Sequence, residues 1–281
     1  MPRWNVFKIA STMPTEEEAK RWAIEEGLVK TTRWCDRHAT LSPISPGPLF
    51  GISGCRGKVK GRPYDHQAVV ALNTWLENLH CDVRQRIIIT YAFANAFSFQ
   101  QTINEASIQQ STVSRETVID VFSYCREVCM AWLDATYHGE GKIGGDGCIV
   151  KIDECKIGKR KYNRGRMVEG HWIIGMMERG GSGYRLEICQ DNCRSADTLI
   201  PLIQKHVAEG TEIHTDLWKG YLNLSNFGYT HLTVNHSQHF VGLDTGAYTQ
   251  NIVSSWRSKK RRLSKGGIED NLYLHLCELL W

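Results

Sequence analysis

No run of apolar residues in the 281-residue chain reaches the ~18 needed to cross a bilayer as a helix. The opening residues, MPRWNVFKIASTMPTEEEAK, lack the long apolar core of a secretory leader, so the expectation is an intracellular protein with no membrane partner. Without a secretory route, the ten cysteines are expected as free thiols inside helices and strands rather than as a disulfide framework. Internal repeats are absent too. Two stretches lack acids altogether. The segments 156–166, KIGKRKYNRGR, and 257–265, RSKKRRLSK, hold six basic residues each and no carboxylate. In a chain of net charge only +4, such clustering points to a polyanionic partner, with a solvated surface or a nuclear-import signal as the plain alternatives.

The hydrophobic patterning divides the chain into three parts. Residues 1–65 read as an N-terminal segment: a leader with one helix, capped at Thr15, then loops and short strands in a Gly-, Pro- and Ser-rich stretch. Residues 66–136 read as helical. Within them QTINEASIQ, a polar turn and RETVIDVFSYCREVCMAWL trace the outline of a helix-turn-helix, which a plain packing bundle also explains. Val118, Val121, Phe122, Cys125 and Cys129 share one face of the longer helix. A Gly-rich break, 137–147, precedes the third part, 148–281. There the order is three strands, a helix, a strand, a connection, a strand and a helix. Consecutive strands form a meander, and strands reached through helices pair in parallel, giving an α/β class with a mixed sheet and flanking helices.

Asp153 falls near the end of the first strand of that part and Asp216 at the end of the fourth. Strand ends of an α/β sheet open into a common crevice. Two carboxylates meeting there repel unless a cation neutralises them, and hard oxygen ligands suit Mg²⁺ or Mn²⁺. The alternative is two ordinary surface aspartates. Glu154 alternates to the opposite face of its strand and is not expected as a ligand.

The strings VKIDECKIGKRK, IHTDLWKGY, TVNHSQHF and TQNIVSSWRSKKRRL, in that order, resemble the Merlin superfamily of DDE transposases and its bacterial insertion-sequence relatives, from about residue 110 onward. The resemblance implies an RNase H-like fold, two divalent metal ions, transposon-end double-stranded DNA as partner, a homo-oligomer on DNA, and cut-and-paste transposition in a nucleus or nucleoid. It matches the first two acids to Asp153 and Asp216, and places Trp218, Tyr221, Asn235, His236, Asn251, Trp256 and Lys260 on the family's motifs. The third acid, a Glu, falls where this chain has Val253, so an inactive or domesticated remnant and an RNase H-type nuclease stand as alternatives. Gln250, one turn earlier, is a neutral substitute. The DNA contacts implied are Lys156, Lys159, Arg160, Lys161, Arg164 and Arg166 after the first strand, and Lys259, Lys260, Arg261 and Arg262 on the last helix. Relatives often carry an N-terminal zinc ribbon. Cys35, His38 and Cys55, with His66 a distant fourth, fall short of the four ligands required, so zinc is not expected.

Overall fold

The structure, a computed structural model, describes residues 4–36, 39–42, 44–47, 49–59, 61–77, 79–108, 111–157, 170–234, 249–263 and 271–281, apart from the side chains of 56, 59, 62–66, 138, 261 and 262. The chain forms two compact units, Met1–Cys125 and Arg126–Trp281.

The first unit opens with α1 (Val6–Thr12) and α2 (Glu16–Glu25). Thr15 caps α2 through a reciprocal capping box with Glu18, as the sequence signature predicts. The additional helix α1 corrects the reading of one leader helix. At seven residues it is too short to reveal a period, and it is held by Asn5, whose side chain accepts from Lys8 N at 2.7 Å. Strands β1 (Arg33–Cys35), β2 (Thr40–Ser42), β3 (Ile44–Ser45), β4 (Ile52–Val59) and β5 (Arg62–Val69) follow. β1 pairs with β2, and β3–β4–β5 form an antiparallel sheet. Residues 66–82 were expected to be helical, and those of them that the structure describes are not. β5 runs to Val69 because it pairs along its length with β4, and helix begins only where Asp82 caps α3 (Val83–Ala94) with Gln85. Then come α4 (Phe99–Ala106) and the long α5 (Arg115–Glu140), which continues into the second unit. Ser114 Oγ accepts from Thr117 N, capping α5. The apolar stripe predicted for α5 is buried, and Phe122 packs edge-on to Phe93 with ring centres 5.3 Å apart.

The second unit carries β6 (Ile143–Gly144), β7 (Ile149–Ile157), β8 (His171–Glu178), β9 (Tyr184–Ile188), α6 (Ala196–His206), β10 (Val207–Ala208), β11 (Glu212–Asp216), β12 (Thr230–Val234), α7 (Gln250–Leu263) and α8 (Leu272–Leu280). Its five-stranded sheet has the order β12-β11-β7-β8-β9. β7, β8 and β9 form an antiparallel meander, while β11 runs parallel to β7 and β12 parallel to β11. This is the mixed sheet expected of an RNase H-like fold. Strand alternation gives it two apolar faces. Val150, Ile152, Ile174, Met176 and Ile213 pack with Leu199 and Ile203 of α6. Cys155, Ile157 and Ile173 pack with Trp256 of α7 and Leu276 of α8. The ten cysteines form no disulfide, as expected, and seven of them are buried. Among the described residues no helix is long and apolar enough to cross a membrane.

Within this unit Arg126 Nε donates to Glu278 Oε2 at 2.8 Å, and His275 Nδ1 lies 3.7 Å from the same oxygen. Burial opposes ionisation of Glu278, but these two partners outweigh it and hold the carboxyl down at about 2, against an ordinary value of 4.5. A depressed acid stabilises the fold above its unfolded pKa, and that stability is lost as pH falls through the folded one. Glu278→Gln is therefore expected to lower stability at pH 7 by on the order of 3 kcal/mol, and to cost little near pH 2. Urea unfolding of both chains across that range checks it.

Candidate active site

The parallel ladder between β7 and β11 pairs Glu212 with Ile149, Ile213 with Val150 and His214 with Lys151, then stops. Two residues further along each strand stand Asp153 and Asp216. By alternation both lie on the face of Lys151 and His214, the face covered by α7. The backbone of β7 stays paired on its other side, with Asp153 opposite Gly175 of β8. That glycine is required. A Cβ at 175 would lie 2.8 Å from Trp256 Cζ2 and 3.3 Å from Ile252 Cδ1. The indole of Trp256 occupies that space, 4% exposed, and its Nε1 donates to Asp153 Oδ2 at 3.0 Å. Trp256 is thus the core residue its size suggests and also a direct partner of the first acid. Trp218 serves the second acid differently: its backbone N–H donates to Asp216 Oδ1 at 2.9 Å, fixing the carboxylate across the turn that ends β11.

Glu154 corrects the expectation drawn from alternation. Its Cβ does leave β7 on the α6 face, yet a carboxylate oxygen reaches within 4.8 Å of oxygens of Asp153 and Asp216. The physical reason is the end of the ladder. With β11 no longer bonded alongside, nothing of the sheet separates the two faces on that side, and the longer Glu side chain closes the gap. Among the described residues, these three form the one cluster of carboxylates, imidazoles or thiols able to surround a cation. Burial pushes the Glu154 carboxyl up to about 7. The Tyr221 hydroxyl and the Arg194 charge hold it back in part, while Asp216 and Asp153 push it further. Tyr221 is itself fully buried, and burial drives its pKa well above the ordinary value.

The remaining candidates are scattered. Val253 lies on α7 one turn before Trp256 and is 44% exposed, whereas its neighbour Ile252 is fully buried. Asn251 and Gln250 are exposed. Lys156 is near the end of β7, its Nζ 5.6 Å from the Trp172 ring centre. Lys259 lies 4.2 Å over the Tyr184 ring, and Lys260 is exposed. Lys159, Arg160, Lys161, Arg164, Arg166, Asn235 and His236 lie outside the described residues, as do the side chains of Arg261 and Arg262. In the first unit the Cys35 and Cys55 sulfurs stand 2.9 Å apart, while His38 and the His66 side chain are outside the described residues. Sequence reasoning also missed Arg194. Its guanidinium stacks 3.8 Å from the Trp218 ring centre and 4.3 Å from that of Trp172. No periodicity or motif signals such a contact.

Residues 139–268 match the ISXO2-like transposase domain family. A Haemophilus influenzae protein described as an uncharacterized transposase-like protein is 35% identical over 91 residues, which span 31% of this chain and 72% of that protein. The chain belongs to the insertion-sequence-like transposases. The matched region of this family member contains the cluster of Asp153, Glu154 and Asp216. The catalytic core domain of BIV integrase is a structural neighbour at 16% identity, with a TM-score of 0.30, covering 47% of this chain and 78% of that one.

Gly175→Ala is expected to push the Trp256 indole off the sheet and break its bond to Asp153. Overpacking of this kind costs roughly 1–3 kcal/mol. Urea denaturation measures the loss, and the double variant Gly175→Ala with Trp256→Phe should not recover the bond to Asp153.

Proposed function

We propose that the second unit is a metal-dependent DNA strand-transfer domain, in which Asp153, Asp216 and Glu154 hold Mg²⁺ or Mn²⁺. The observation that carries this reading is the convergence of three carboxylates within 4.8 Å where the β7–β11 ladder ends. Hard carboxylate oxygens are the donors these ions take, and the donor set fits. Bound there, such ions would supply Lewis-acid polarisation of a phosphoryl oxygen and would make a water more acidic. The chain's own residues do the rest. The Trp256 indole N–H and the Trp218 backbone N–H orient the two aspartates. Burial raises the Glu154 carboxyl to about 7, so an incoming positive charge would favour its ionised form. Lys156, Lys259 and Lys260, with the basic residues of 158–166 and Arg261 and Arg262, would grip the phosphates of duplex DNA. Residues 148–281 would be the catalytic domain. The segments 1–65 and 66–136 would serve DNA-end binding, and the protein would work on two ends as at least a dimer, in a nucleus or nucleoid.

A second reading follows from Val253. Position 253 supplies no carboxylate, and its side chain is 44% exposed rather than packed. If the family's third acid belongs there, this chain binds DNA ends but joins them poorly, because residues that act as a unit fail together.

Strand transfer of terminal-repeat DNA in Mn²⁺ separates the two. If the natural chain joins DNA and both Asp153→Asn and Glu154→Gln abolish joining, the three-carboxylate site is the working one. If only Val253→Glu joins DNA, the second reading holds. Mn²⁺ titration monitored by thermal shift gives an independent check. Asp153→Asn is expected to remove the metal-induced stabilisation, and an unchanged shift would sink the three-carboxylate reading.

A further inference from the structure

Arg194 sits in the loop between β9 and α6, beside the carboxylate cluster, and its surroundings fix it on several sides. The two rings of Trp218 and Trp172 lie against its guanidinium at 3.8 and 4.3 Å. Its own carbonyl accepts from Trp218 Nε1 at 2.9 Å. Gly220 keeps this approach open, since a Cβ there would lie 3.0 Å from the Trp218 ring and 3.1 Å from the Arg194 carbonyl. The loop is anchored in turn. Trp172 N donates to Asn192 Oδ1 at 2.8 Å, and Asn192 Nδ2 donates to the Gly170 carbonyl at 2.7 Å. Both Asp191 and Asn192 lie in the left-handed region, at φ 50 and 52, which Asp and Asn adopt more readily than other residues with a side chain.

Among the described residues the contacts recorded for this guanidinium are to the two indoles, although the acidic cluster is close enough for its charge to lower the Glu154 pKa. An arginine whose role was to neutralise the carboxylates would pair with one of them. Here two indoles lie against the guanidinium. Its N–H groups form a rigid fork whose geometry matches a phosphate. Lys156 and Lys219 flank the same two rings, 5.6 and 5.8 Å from their centres, so positive charge continues on either side.

We propose that Arg194 is a phosphate receptor. Locked by Trp172 and Trp218, it binds a backbone phosphate of the DNA strand entering the carboxylate site and so sets that strand's register against the acids. This rests on the reading of the site as a DNA strand-transfer centre. The contact is to backbone, so it positions the strand and carries no sequence information.

The test uses the full chain and a short fluorescein-labelled duplex of random sequence, in EDTA so that no metal contributes. Anisotropy titrations across a salt series are expected to give Arg194→Gln a log–log salt slope smaller by about 0.9, and a Kd weaker roughly tenfold or more. Arg194→Lys should keep the slope and lose part of the affinity. If Arg194→Gln does not fold, the wild-type chain carries the test through phenylglyoxal modification. Arg194 should react in the free protein and be protected by the duplex. Binding by the wild type with an unchanged slope in Arg194→Gln, or with Arg194 equally reactive in the complex, overturns the phosphate role and leaves the strand-transfer reading standing. Absence of any salt-dependent binding by the wild type overturns both.

Discussion

Everything at the site depends on where two parallel strands stop bonding to each other. β7 and β11 are paired through Lys151 and His214 and then separate, so the next residues on the same face, Asp153 and Asp216, stand at an opening in the sheet rather than within it. A strand interior would satisfy the backbone and press the side chains into an apolar layer. At the opening the carboxylates keep contact with the crevice while their main chains are still held by the sheet. The same opening lets Glu154 join from the other face. One missing rung thus converts two surfaces of a strand into a single cluster of like charge.

Such a cluster is costly to assemble, and the fold carries visible compensation. Each aspartate accepts a directed hydrogen bond, from an indole in one case and a backbone N–H in the other. The third acid is different. Burial raises its pKa to about 7, so at neutral pH a substantial fraction is uncharged and the repulsion is reduced. Arg194 adds a positive field. Gly175 and Gly220, by carrying no side chain, leave room for the two tryptophans to approach.

Much of this architecture was legible in the sequence because the second unit is periodic. The short runs KIDEC, WIIGMM and YRLEI, the second of them continuously apolar, mark strands, and TLIPLIQKH marks a helix whose apolar positions fall on one side. The two aspartates were readable because they end such strands. Glu154 was not, since alternation describes where a side chain leaves the backbone and not how far a long one reaches once the neighbouring strand has gone. The pairing of Asp153 with Trp256 spans 103 residues, and the stack around Arg194 joins β8, a loop and the turn after β11. Contacts of that kind arise from tertiary packing alone. In the first unit, the segment after residue 66 misled because β5 owes its existence to pairing with β4 rather than to a pattern of its own.

The long helix Arg115–Glu140 is shared between the two compact units, which divide at Cys125 and Arg126 inside it. A cut at that division would leave each fragment with an unfinished helix. On the N-terminal piece Val118, Val121, Phe122 and Cys125 would sit in the last turns of a fraying end. The C-terminal piece would begin mid-helix, with no residue to cap its first N–H groups. Expression of either half alone is therefore poorly served by the apparent boundary. A fragment meant to isolate the carboxylate site should begin upstream of Ser114, where the chain already provides a helix cap.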